Sequence, residues 1–254
     1  MRITGAGYLL FASTLIALGL LGLIQGDFTA IWQPVPPDLP LRTPLAYLCA
    51  IVCLAGGAGL LHERVDSHAA RLLSAAFLLW ILSFKLPAIL RAPMSTDAWE
   101  NCAETAVIVS AAVAFLGRLA IARVLYGVGM IVFGLAHFAY LKETASLVPG
   151  WLPAPTLWAG FTGAAYIAAG LSILSGVQAR LAAMLSAVQM GAFTLLVWIP
   201  IIAAPGPKTA FQWSETMLSW VLTLAGWVMA DSYDAAGMPR PMIALQSALR
   251  GKAP

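Results

Sequence analysis

The chain has 254 residues, 61% hydrophobic and only 10% charged, with a mean hydropathy of +0.86. Soluble domains carry about 25% charged residues, so the apolar side chains here cannot all be hidden in one core, and most of the surface must face lipid. The formal charge of +3 is small and its basic residues scattered, which excludes the basic patch that nucleic acid needs.

A membrane span needs about 20 mostly apolar residues. Eight segments qualify in chain order: Ile3–Ile24, Thr43–Leu61, Leu72–Leu90, Cys102–Gly117, Leu119–Tyr140, Ala154–Leu174, Leu181–Ala203 and Ala210–Ala230. The first is longer than the apolar run of a cleaved signal peptide and reads as a retained span. The fourth is the shortest and has Glu104 near its start. Turn-like linkers rich in Pro and charge separate the spans, among them Gln33-Pro34-Val35-Pro36-Pro37 and His62-Glu63-Arg64-Val65-Asp66. Pro44 and Pro155 stand in the first turn of a helix, where proline is tolerated. Cys49, Cys53 and Cys102 form no C-x-x-C pair and no zinc pattern, so buried free thiols are expected.

The second half echoes the first. Leu39-Pro40-Leu41-Arg42-Thr43-Pro44-Leu45-Ala46 resembles Leu152-Pro153-Ala154-Pro155-Thr156-Leu157-Trp158-Ala159, and each stretch opens an Ala/Gly-rich helix. Arg71-Leu72 and Arg180-Leu181 open the following spans. Pro87 and Pro200 fall near their ends, and Glu104-Thr105 and Glu215-Thr216 open the last span of each half. The expectation is an all-α, polytopic membrane helical bundle of about eight transmembrane helices, arranged as two tandem parallel four-helix repeats. The units would be residues 1–118 and 119–231, followed by a cytoplasmic C-terminal tail over 232–254.

With eight spans, one face carries nine Lys or Arg residues, including Arg2, Arg64, Arg71, Arg180 and Arg240. The other face carries four: Arg42, Arg91, Lys142 and Lys208. The positive-inside bias then puts both termini on the cytoplasmic side of a bacterial inner membrane.

Ionisable residues within spans are costly and usually face the bundle interior, paired or wetted. Lys85, Glu104, His137 and Glu215 all fall toward the outer face, which predicts an outward-opening polar vestibule with Lys85–Glu104 as its ion pair. The competing reading is that Glu104 and Glu215 snorkel to water or stabilise a helix N-terminus, and that His137 is a hydrogen-bonded interface residue. Trp32, Trp99, Trp151, Trp158 and Trp213 read as an aromatic belt at the outer interface. The sequence forms no P-loop, nucleophilic triad or haem site, and the reading leans toward a protein without intrinsic catalytic activity.

In Gly134-Leu-Ala-His-Phe138, Val148-Pro-Gly-Trp-Leu-Pro153, Trp158-Ala-Gly-Phe-Thr-Gly163, Gly170-Leu-Ser-Ile-Leu174 and Arg180-Leu-Ala-Ala183, the second half resembles the DoxX-like membrane proteins. The resemblance runs from about Arg123 to Ala230, and the first half looks like a diverged copy. It implies a four-helix membrane unit and association with membrane redox or sulfur-stress systems. Many members of that family carry a glutamate after the Gly of the W-x-x-x-x-G stretch; here Gly163 is followed by Ala164-Ala165-Tyr166. The function this implies is an accessory subunit of a quinone-linked redox system. Quinone is the implied cofactor, and the lipid bilayer and a membrane redox subunit are the implied partners; the outer vestibule read from the topology (Lys85, Glu104, His137 and Glu215) would be where a quinone head group or a small sulfur species binds. The alternatives are a small-molecule or lipid transporter or binding module, and a structural assembly partner.

Overall fold

The computed structural model describes residues 5–237. The expectations placed on Arg2, Arg240 and the end of the C-terminal tail lie outside that range. Among the described residues the chain is helical throughout, with no strand. In the first half, α1 (Ala6–Gln25) leads through a short 3-10 turn (Ala30–Trp32) to α2 (Arg42–Leu60). Then α3 (Asp66–Trp80) runs through a π-helical turn (Ile81–Lys85) into α4 (Leu86–Arg91), and α5 (Thr96–Phe115) closes the half. The second half has α6 (Leu119–Ala139), a short α7 (Leu141–Ser146) and α8 (Pro155–Ser175). It ends with α9 (Ala179–Phe193), a second π-helical turn (Thr194–Trp198), α10 (Ile199–Ala203) and α11 (Ala210–Gly237).

Among the described residues six rods are long and apolar enough to cross a membrane: α1, α2, the continuous α3–α4 rod (Asp66–Arg91), α6, α8 and the α9–α10 rod (Ala179–Ala203). The molecule is a multi-pass helical membrane bundle. The other two long helices, α5 and α11, are more polar, and their positions explain how that is tolerated. In each half the helices pack in sequence, α1 on α2 on α3 on α5, and α6 on α8 on α9 on α11. The halves join where α5 meets α6 and α11 meets α1, with α5 against α11 between them. The two helices that carry acids and hydroxyls therefore sit at the centre, and the apolar rods take the lipid (Leu79, Leu135, Leu157 and Leu195 are exposed).

Several local features occur once in each half. Gly57 of α2 lies against Ala12 and Ile16 of α1 as Gly170 of α8 lies against Gly127 and Ile131 of α6. A methyl group added at Gly57 would come within 2.6 Å of the Ala12 carbonyl oxygen, and one at Gly170 within 2.5 Å of the Gly127 carbonyl oxygen. Close backbone approach of this kind is what small residues provide between membrane helices, where van der Waals packing replaces the hydrophobic effect. Leu41 and Ala154 both adopt left-handed backbone conformations (φ 56° and 54°) just before α2 and α8. Each π turn is followed two residues later by a proline, Pro87 or Pro200. A proline lacks the amide proton its helix needs, and a local π turn is one way a helix absorbs that loss.

The linkers after α1 and α6 are where the halves part. In the second half, the residues between α6 and α8 lie at the surface, with Trp151 72% exposed. In the first half the chain turns inward. Phe28, Thr29, Ala30, Ile31, Trp32 and Val35 are all buried, forming a plug between α3, α5 and α11. Trp32 is 2% exposed and stacks on Phe77 with ring centroids 4.6 Å apart, so it is not part of an aromatic belt as its sequence position suggests. Trp99, Trp151, Trp158 and Trp213 are exposed.

Candidate functional site

Cross-links identify the two ends of the bundle. At one end Gln25 Nε2 donates to the Ala210 carbonyl at 3.3 Å, and the Tyr140 hydroxyl donates to Asp97 Oδ1 at 2.8 Å. This brings the C-termini of α1 and α6 beside the N-termini of α5 and α11. At the other end the Tyr8 hydroxyl donates to the Leu60 carbonyl, and the Arg123 guanidinium lies 4.0 Å over the Tyr233 ring. All four predicted site residues lie toward the first end, in two separate places.

The first place is the plug. Non-helical backbone inside a membrane bundle must have its polar groups satisfied by protein. The Trp80 indole donates to the Trp32 carbonyl at 2.8 Å, Lys85 Nζ donates to the Gln33 carbonyl, and the Ala30 amide donates to Ser214 Oγ. Arg42 holds the outer rim: it contacts Asp27 at 2.9 Å, donates to the Pro36 carbonyl at 3.0 Å and covers the Phe28 ring at 5.2 Å. Lys85, 2% exposed, is thus the tether of a re-entrant segment, delivered to it by the π turn. No contact ion pair joins Lys85 to Glu104. The two attract one another at longer range, and Glu104 is repelled by Glu100 and Glu215. The arrangement is a buried cation near Glu104, which in turn lies near two further half-buried carboxylates, Glu100 and Glu215. Glu100 was not singled out from the sequence because it lies in the first turns of the most polar span, where a charge is ordinary.

The second place is His137, in the groove between α6 and α8. Its Nδ1 is 2.8 Å from the Phe133 carbonyl oxygen. A carbonyl only accepts, so Nδ1 carries the proton, and in the neutral ring Nε2 carries the lone pair. Nε2 makes no hydrogen bond to any described residue. The ring meets Tyr166 edge-on at 5.3 Å, and Gly163 lies beneath its β-carbon. The Tyr166 hydroxyl interacts with Gln189, which donates to the Thr162 carbonyl at 3.0 Å. His137 is half-buried and makes no hydrogen bond or ion pair with Lys85, Glu104 or Glu215.

A scan against known families matches residues 118–198 to the DoxX family model. That stretch, from the start of α6 to the second π turn, is similar to the DoxX family. His137, Tyr166 and Gln189 lie within the DoxX segment, whereas Lys85, Glu104 and Glu215 lie outside it. No curated protein and no solved structure matches the chain.

The thiols are all free. Cys49 and Cys53 are buried, and Cys102 is half-buried near Lys85. Among the described residues no group of three His, Cys, Asp or Glu side chains is placed to hold a metal ion.

Proposed function

We propose that this protein is a non-catalytic accessory subunit of a quinone-linked redox system in a bacterial inner membrane, built from two tandem four-helix units. The observation that carries the reading is the acceptor state of His137 Nε2 beside the Tyr166 ring, within the DoxX segment. A ring nitrogen with a free lone pair accepts a hydrogen bond from a hydroxyl. It suits the reduced, quinol form of a head group better than the carbonyl of the oxidised form. No redox centre is carried by these side chains, so electrons would pass through a partner subunit. The Lys/Arg bias supports an outward-facing His137 with both termini on the cytoplasmic side.

The test is native mass spectrometry with lipid and quinone extraction on the purified protein, wild type beside His137→Ala. The expected result is a bound quinol or quinone in the wild type that is lost in the variant. Bulk lipid alone in both forms would sink the reading. A second reading, transport of a small charged solute, is favoured by one observation: Lys85 and three carboxylates lie together on and beside the central helices. Solute flux into proteoliposomes that Lys85→Ala abolishes would move the weight to it.

A further inference from the structure

Among the described residues two arginines lie over an aromatic ring, one at each end of the bundle. Arg42 covers Phe28 at 5.2 Å, and the chain supplies the acceptors its guanidinium needs. Asp27 meets Nη2 with both carboxylate oxygens, at 2.9 and 3.1 Å. The Val35 and Pro36 carbonyls accept from Nη1 at 3.3 and 3.0 Å. Arg123, one turn into α6, lies closer still over Tyr233, at 4.0 Å. There the chain supplies no acceptor. Arg123 makes no hydrogen bond or ion pair with any described residue, and both its Nε and the Tyr233 Oη are buried without a partner.

A guanidinium stacked on a ring keeps its edges free, and those edges carry N–H donors in a fork that fits an oxyanion. Buried donors left unpaired are costly, so the geometry is that of an ion pair whose anion is missing from the chain. Asp231, two residues earlier on α11, does not complete it. It lies on the side of α11 that faces α1, with Oδ2 3.2 Å from where a β-carbon on Gly5 would stand. The surroundings are basic: Arg118 precedes α6, and Arg180 stands at the start of α9. In the antiparallel packing of α9 on α11, Ala187 lies against Gly226 and Gly191 against Thr223. Continuing that register brings the start of α9 level with Tyr233. Arg123 and Tyr233 are both half-buried, about one turn from the ends of their helices, which is the depth at which basic pockets between membrane helices meet lipid head groups.

We propose that Arg123 and Tyr233 form a binding site for a phosphate oxyanion where α6 meets α11. The guanidinium holds two phosphate oxygens along its edge, and the Tyr233 hydroxyl donates to a third. The depth of the pair fits the phosphate of an anionic phospholipid, and free phosphate satisfies the same donors. The site lies at the end of the bundle away from His137 and Lys85, so it rests on neither functional reading given above.

The experiment is native mass spectrometry of the full chain in detergent, delipidated and titrated with phosphatidylglycerol, beside dioleoylglycerol as a lipid without phosphate. The wild type should retain one phosphatidylglycerol that dioleoylglycerol does not replace. Arg123→Gln, which removes the fork, should weaken that binding about tenfold or more, and Tyr233→Phe, which removes one donor, about threefold. Arg123→Lys keeps the charge but loses the fork and should weaken it as well. Arg64→Gln, at an exposed arginine of the same end, should leave it unchanged. Inorganic phosphate separates the two sources. Lipid retained at millimolar phosphate assigns the site to the head group. Lipid displaced, with phosphate raising the thermal midpoint of the wild type and not of Arg123→Gln, assigns it to the free ion. Thermal unfolding in detergent checks that each variant is folded. Equal binding by the wild type and folded Arg123→Gln would overturn the site, as would equal retention of dioleoylglycerol.

Discussion

The two halves share a close glycine contact and a π turn followed by proline, and they differ in where they put their polar groups. The first half spends its polarity on holding a segment in place: the π turn delivers Lys85 to the Gln33 carbonyl of the plug. The second half has Trp198 at the end of its π turn and leaves its linker at the surface. Its polarity sits instead at His137, Tyr166 and Gln189 and in the hydroxyls of the α9–α11 interface. Shared backbone contacts show what the bundle needs to stand up. The differing side chains show where there is room for a function, because nothing in the packing demands them.

Breaking the plug should have the largest effect. Lys85→Ala leaves the Gln33 carbonyl without its donor and Glu104 without its nearby cation. Losing that bond and leaving a cavity where a buried long side chain stood costs about 2–5 kcal/mol, to be read as a lowered thermal midpoint in detergent. Trp198→Ala at the matched position should cost clearly less, since Trp198 is only half-buried; equal losses would mean that the plug is not held by Lys85.

The glycine contacts come next and sharpen the likeness. Gly57→Ala and Gly170→Ala force a methyl group against backbone in both halves. Each should cost about 1–3 kcal/mol, the usual range for overpacking, and the two should fall close together. A large loss at one and none at the other would separate the halves as structural equivalents. Smaller still is the exchange of Tyr126 and Phe11. Tyr126→Phe leaves the buried Ser186 hydroxyl with only its bond to the Ala183 carbonyl, a loss of about 1 kcal/mol. Phe11→Tyr buries a hydroxyl where the first half offers leucine, and should destabilise as well.

The smallest effect is at the surface. The Tyr140 hydroxyl donates to Asp97, and that bond holds it above the ordinary phenol value of 10.0. The bond needs the protonated phenol, so its contribution is present below pH 10.0 and lost as the pH rises through the raised value. Tyr140→Phe should therefore lower the thermal midpoint slightly at neutral pH and not at all at strongly alkaline pH.

Much of the architecture was legible because lipid imposes long apolar runs. The first ends of the rods, the prolines at Pro87 and Pro200 and the cluster of polar groups at one end all follow from reading hydropathy against charge. What was hidden depends on contacts across the chain. Trp32 reads as a belt residue until the segment around it turns inward, since an indole suits an interface and a core equally. Lys85 reads as a partner for Glu104 because charge is visible in sequence and a carbonyl acceptor is not. Glu100 was masked by its place near a helix start.

The most direct test of the central claim is nitrogen-15 NMR of the histidine rings in nanodiscs, with His137 assigned by comparison with His137→Ala. The account predicts a neutral ring protonated at Nδ1, with an Nε2 resonance that moves when a quinol is added and stays when the oxidised quinone is added. A ring protonated at Nε2, or an Nε2 resonance indifferent to both forms, would contradict it.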